Sequence, residues 1–309
     1  MSAETRKGRV PDAAAAPRSA PDLPAAGAPA AGLSAVGAIV RRRDRDRYQT
    51  ALFAPADRRE ALFALYAFNF EIARIREAVT QPMLGQIRLQ WWREVIEAAF
   101  SGGPARRHEV ALPLVTTIRN FGLSRASFDR IIDTRERDLD DTPPADLAAL
   151  IEYAEGTSSA LLVLALEALG TLEPATGEAA RDIGIAYALA GLLRAMPFHA
   201  ASGRRYIPEH VAVTVGLDPA DYARRRNTSE LRTATEMLTE AAAAHLASGR
   251  RSVGRIPRRS LAALLPAVIA DRYLLRLKRA GFNPFAPELA APDPLQSWRL
   301  AAAALRRRF

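Results

Sequence analysis

An all-α single domain is the architecture this sequence predicts, and three observations carry it. Ala and Leu dominate while β-branched and aromatic residues are modest, a balance that favours helix over sheet. From Tyr48 onward apolar residues recur close to a 3.6-residue period, with no alternating segment that would make a strand and no internal repeat. The chain has 309 residues, 49% hydrophobic and 25% charged, which suffices for one sizeable core.

Residues 1–40 are expected to be a disordered arm, because Ala, Pro and Gly dominate there without periodicity. The arm has no continuous apolar stretch and so does not read as a secretory signal. Arg6, Arg9 and Arg18 are spread as in a mitochondrial transit peptide, but Glu4, Asp12, Asp22 and the prolines argue against one. The basic run Arg41-Arg42-Arg43-Asp44-Arg45-Asp46-Arg47 opens the main domain, residues 41–285. Its first long helix lies within 58–79, where Leu62, Leu65, Tyr66, Ile72, Ile75 and Val79 keep the period. A second covers Gly85 to Phe100 with Ile87, Trp91, Val95 and Ile96 on one stripe. Others are expected at 109–120, 124–140, 144–169 and 174–196, the last ended by Pro197. Asp218-Pro219 starts a short helix, and long ones follow at 230–249 and 258–280. Residues 286–309 form a Pro-rich linker and a basic amphipathic helix, Leu295 to Arg308, suited to resting on anionic lipid.

The net charge is +9, almost all of it from Arg, with Lys only at Lys7 and Lys278. Such a balance attracts anions in general, but no nucleic-acid reader motif accompanies it. The absence of Cys excludes disulfides, thiolate catalysis and Cys-ligated metals. No apolar run approaches the roughly 20 residues needed to cross a bilayer. His108, His210 and His245 lack ligand spacing. Asp133, Asp138, Asp140 and Asp141, interspersed with Arg135 and Arg137, read as a solvated helix terminus. Trp91-Trp92 should put one ring in the core and the other towards a groove.

Two segments carry a family likeness. The first runs from Leu62 through Leu65-Tyr66-Ala67-Phe68-Asn69 to Ile72-Ala73-Arg74-Ile75-Arg76-Glu77. The second is Gly191-Leu192-Leu193-Arg194-Ala195-Met196-Pro197-Phe198-His199, continuing to Gly203-Arg204-Arg205-Tyr206-Ile207-Pro208. Together they resemble the squalene/phytoene synthase family of head-to-head prenyltransferases. That family has a Leu-Tyr-Ala-Phe-Cys-Arg segment ending in Asp-Asp-x-x-Asp, and a Leu-Arg-Asp-x-x-x-Asp segment leading to Gly-Arg-x-Tyr-Leu-Pro. The resemblance implies an isoprenoid-synthase-like bundle around a central cavity, whose aspartates hold Mg²⁺ and so a substrate diphosphate. In this chain the five acidic positions match Ala73, Arg74, Glu77, Ala195 and His199, and only Glu77 is acidic.

Tyr48-Gln49-Thr50-Ala51-Leu52-Phe53-Ala54-Pro55, Ile87-Arg88-Leu89-Gln90-Trp91-Trp92-Arg93 and the Leu-Arg-x-x-Pro-Phe-His stretch narrow the likeness. They resemble the non-catalytic branch related to the mitochondrial NADH:ubiquinone oxidoreductase (complex I) assembly factor. That branch implies a pseudoenzyme without cofactor, an assembly or scaffold factor whose partners are complex I subunits or assembly intermediates. It also implies a place peripheral to the inner membrane, cytoplasmic in a bacterium or on the matrix side in a mitochondrion. The alternatives are an active prenyltransferase, the one reading that needs Mg²⁺, and a non-catalytic isoprenoid- or lipid-binding protein. For the prenyltransferase the diphosphate would rest on Arg74, Arg76, Arg194 and Arg204 with Tyr48. Salt bridges to Glu71 and Glu77 compete with that role for the arginines.

Overall fold

Helix periodicity becomes helix along nearly the whole length that the computed structural model describes, residues 33–253 and 256–309. Among the described residues there are α-helices and short 3₁₀ and π segments, and no strand. The arm expected over residues 1–32 lies outside the described residues. Residues 35–40 depart from it: they belong to α1 (Ala35–Arg43), which Ser34 caps by accepting from the Gly37 N–H at 3.0 Å. Val36, Ile39 and Val40 are buried there, so three apolar anchors outweigh the Ala/Gly-rich composition. Asp44 ends α1 and caps α2 (Arg45–Ala51), accepting from the Arg47 N–H.

The next helix, α3 (Ala56–Ala73), is buried on every side from Ala61 to Asn69 and forms one half of the core. It packs on α1 and on later helices, and a 3₁₀ turn at Arg76–Ala78 follows it. After it come α4 (Pro82–Ser101), α5 (Ala111–Phe121) and α6 (Arg125–Glu136). The α4 stripe differs from the expectation. Gly85, Leu89, Trp92, Val95, Ile96 and Ala99 face inward, whereas Ile87 is 60% exposed. Ile87 lies some 200° round the helix from Leu89, so the two cannot share a face. Trp92 is buried and Trp91 half-buried, and His108 packs edge-on against both rings.

The expected helix at 144–169 is α7 (Leu147–Ala154) and α8 (Ala160–Leu169), joined without a break by a π turn at Glu155–Ser159. Leu147–Leu169 as a whole is long and apolar enough to cross a membrane, with mean hydropathy 1.3. It is mostly buried against α3, α6 and the next helix, the position of a core helix. That next helix, α9 (Pro174–Arg194), is the central strut, packed on the π turn and α8. Glycine makes this contact: a Cβ on Gly184 would sit 2.4 Å from the Ser159 Cα, and one on Gly156 would sit 2.2 Å from the Thr134 hydroxyl.

Beyond α9 the backbone turns at Ala195 into α10 (Met196–Ala201), with Pro197 in its first turn. The remaining helices are α11 (Glu209–Val215), α12 (Pro219–Ala223), α13 (Ser229–Ser252), α14 (Leu261–Leu264) and α15 (Pro266–Arg279). Two more, α16 (Pro287–Ala290) and α17 (Gln296–Arg306), close the chain. The helices α13 and α15 flank α9, while α17 lies on α15 and reaches α2 through hydrogen bonds.

Candidate functional site

The two segments singled out in the sequence end on neighbouring elements, the foot of α3 and the α9–α10 junction. Ala73 is the last residue of α3, and Arg74 is half-exposed beside Glu71 at 3.3 Å, its guanidinium 5.4 Å from the Phe70 ring centroid. Arg76 reaches across to Asp141, with both carboxylate oxygens within 2.9 Å. Glu77 faces Arg204 at 3.4 Å. Ala195 is the junction itself. His199 is enclosed by the rings of Phe198 and Tyr206, and its Nδ1 is buried without a partner. Burial, then the nearby Arg204 guanidinium, lowers its pKa to about 4, so the ring is neutral near pH 7.

The four arginines and Tyr48 do not converge. Arg74, Arg76 and Arg204 lie around the α3 foot, each facing its own carboxylate. Arg194 lies on the other side of α9, bonded to Asp46 at 2.7 Å. Burial pushes the Asp46 carboxyl up, but Arg194 and the Gln296 amide more than offset this and hold it below its ordinary value. Tyr48 stacks on Phe63, ring centroids 5.5 Å apart, and belongs to the core. Of the ion pairs that the sequence suggested, Arg74 does meet Glu71, and Glu77 meets Arg204.

These residues do not suit a magnesium ion. Ala73 and Ala195 offer no donor atom, the Arg74 guanidinium has no lone pair, and the one carboxylate, on Glu77, faces Arg204. Among the described residues no group of three His, Asp or Glu side chains is arranged to hold a metal ion.

A polar cavity of about 460 Å³ opens instead between α1, α2, α3, α6, α7, the π turn and α9. Its walls include Arg43, Arg45, Arg47, Asn69, Arg135 and Tyr187. Arg47 bonds Asp44 at 2.7 Å and lies 4.9 Å from the Tyr187 ring centroid. Arg135 belongs to a buried network centred on Asp138, which accepts from Arg135 at 3.0 Å, from the Tyr153 hydroxyl at 2.8 Å and from the Tyr206 hydroxyl at 2.9 Å. Burial and the Asp138 charge push the Tyr206 hydroxyl up to about 12, so it stays a donor.

Asp138 thus corrects the solvated-terminus reading of the acidic cluster. It is buried on a 3₁₀ turn and holds three elements together, whereas Asp133 and Asp141 are surface partners of Arg93 and Arg76. Spacing could have marked its pairing with Arg135 three residues earlier, but not its other partners, Tyr153 and Tyr206, which are distant in sequence. The basic run at 41–47 did mark Arg47, though not its burial.

Comparison with known proteins fits this geometry. The squalene/phytoene synthase family pattern matches residues 40–306. Over 268 residues the chain is 33% identical to the rat (Rattus norvegicus) protein named NADH dehydrogenase (ubiquinone) complex I, assembly factor 6. The match covers 84% of this chain and 80% of that one. It is also 30% identical over 227 residues to presqualene diphosphate synthase of Rhodopseudomonas palustris, covering 73% of this chain and 80% of that one. Among solved structures, squalene synthase HpnC from Alicyclobacillus acidocaldarius superposes with a TM-score of 0.72 at 22% identity. It covers 81% of this chain and 94% of that one, a likeness of fold.

Proposed function

The chain belongs to the squalene/phytoene synthase family, and from that premise we propose that it is a non-catalytic member, an assembly or scaffold factor for respiratory complex I. The observation that carries this is the chemistry at the five matched positions. Two alanines, an arginine and a neutral histidine replace hard oxygen ligands, and the remaining Glu77 faces Arg204. Without a metal bridge, the charge of a departing diphosphate has nothing at these positions to offset it. The likeness to the rat assembly factor, spanning 84% of the chain, supports complex I as the client. It acts peripheral to the membrane that holds complex I, through the basic amphipathic α17, where Trp298 is 76% and Leu305 85% exposed.

The likeness to presqualene diphosphate synthase supports a second reading, an active prenyltransferase. One paired experiment separates them. Purified protein with farnesyl diphosphate and Mg²⁺ should release no pyrophosphate above a blank. Deleting the gene should lower membrane NADH:ubiquinone oxidoreductase activity and leave smaller complex I intermediates on native gels. Pyrophosphate release abolished by Glu77→Ala overturns the non-catalytic reading, and complex I unchanged in size and activity overturns the assembly role.

A further inference from the structure

The amino-terminal half of α4 turns to solvent an apolar face that the fold does not use. Met83 is 67%, Leu84 45% and Ile87 60% exposed, and nowhere else among the described residues do three large apolar side chains stand exposed within five positions. Met83, Ile87 and the half-buried Trp91 follow at four-residue steps with Leu84 beside them, so they form one ridge about 12 Å long. The helix beneath is firmly seated. Gly85 on its inner side lies so close to Leu139 that a Cβ there would sit 2.3 Å from the Leu139 Cδ2.

The segment Ile87–Arg93, marked in the sequence, divides accordingly. Leu89 and Trp92 are buried, and Arg93 is taken by Asp133 and Glu136, which accounts for its inner half. Packing gives no account of Ile87, Arg88 and Gln90, all exposed.

Composition and charge choose the occupant. From Pro82 to Trp91 the one charged residue is Arg88, and among the described residues its guanidinium has no hydrogen-bond or ion-pair partner. Met, Trp and Arg without Lys, Asp or Glu is the mixture found at the core of protein–protein contacts. An anionic bilayer needs several basic groups close together, and a single Arg followed along the helix by Glu94 and Glu97 does not supply them. A second copy has no carboxylate between Pro82 and Trp91 to meet Arg88. A ridge of four-residue steps fits the groove between side-chain rows of another helix.

We infer that this α4 ridge docks one amphipathic helix of a partner polypeptide, with apolar side chains on Met83, Leu84, Ile87 and Trp91 and a carboxylate on Arg88. The inference deepens the assembly reading, on which it rests for naming the partner as the complex I client; the chemistry of the surface does not depend on it. Docking there leaves α17 free for the membrane, since α4 packs on α5 and α6 whereas α17 packs on α15.

The test places the photo-crosslinker p-benzoyl-phenylalanine at Gln90, beside the ridge, in the full chain expressed in its own host without the native copy. The same group at Val213, an isolated exposed position on α11, is the control. Ultraviolet light should give one discrete adduct from Gln90 and none from Val213. Peptide mapping should place it on a helix with apolar residues at three- and four-residue steps and an Asp or Glu within a turn of them. Met83→Asp with Ile87→Asp should lower the yield about tenfold or more, and Arg88→Glu severalfold, while Arg88→Lys keeps most of it. These positions are exposed, so the Tm of each purified variant should stay within about 2 °C. If the double variant loses stability, Arg88→Glu alone carries the comparison. No adduct, an adduct to lipid, an adduct to this same chain, or a yield that the substitutions leave unmoved overturns the docking surface. The double variant should also fail to restore complex I in the deletion strain. Full restoration overturns the docking surface and leaves the assembly reading standing, whereas an adduct on a helix outside complex I keeps the surface and removes complex I as the client.

Discussion

At the scale of single residues, His199 carries a pH signature. Its folded pKa of about 4 lies below the ordinary 6.5, so between those values the unfolded chain binds the proton and the folded chain does not. Stability therefore falls as pH drops through 6.5 and levels off below about 4, by on the order of 3 kcal/mol at most. His199→Gln should remove that component, flattening the difference in urea midpoints between pH 7 and pH 4.5 relative to the unaltered chain. Gly184 makes a second prediction. Its missing Cβ lets α9 lie against the Ser159 backbone, which cannot swing aside like a side chain. Gly184→Ala should cost at least about 1–3 kcal/mol by denaturant titration, with the helical circular dichroism signal retained. Pairwise chemistry was partly legible in the sequence at this scale. Arg74 and Glu71 are three residues apart on one helix, so their contact follows from spacing. The partnership of Asp138 with Tyr206 spans 68 residues and follows only from the fold.

Between residue and molecule stand the helices, and most were legible because their apolar period is strong. Leu62, Leu65, Tyr66 and Ile72 are buried within α3 as the period implied, whereas Ile75 and Val79 are buried beyond its end at Ala73. The failures are local. Ile87 was placed on the α4 stripe by its four-residue spacing to Trp91 and Val95, but the buried face is centred on Leu89, Trp92, Ile96 and Ala99, which leaves Ile87 outside it. The first helix was hidden because Ala and Gly served equally well for an arm and for a tightly packed helix. The π turn at Glu155–Ser159 leaves no mark in the apolar period; it lies where Gly156 approaches Thr134 of α6 and Gly184 of α9 approaches Ser159. The last helix, α17, carries the prediction for this scale. Trp298 and Leu305 lie seven residues apart on one face, and Arg306 and Arg308 flank them. Trp298→Ala with Leu305→Glu should abolish co-sedimentation with vesicles containing phosphatidylserine or cardiolipin. Their exposure means that the folded stability should move by less than about 0.5 kcal/mol.

For the molecule as a whole, the all-α class and the family frame were both present in the sequence, because two long motifs fix the order of α3, α9 and the turn after α10. The cavity was not, since its walls come from seven elements and four of its five arginines, Arg43, Arg45, Arg47 and Arg135, lie outside both motifs. Beside the cavity, one link joins early and late segments of the described chain. Gln296 donates to Asp46 at 2.8 Å and to Gln49 at 2.7 Å, and Asp46 in turn holds Arg194. The contact spans 250 residues of sequence. During translation α2 therefore leaves the ribosome long before Gln296 exists, and the latch on Asp46 can form only late in folding, after the helices between them.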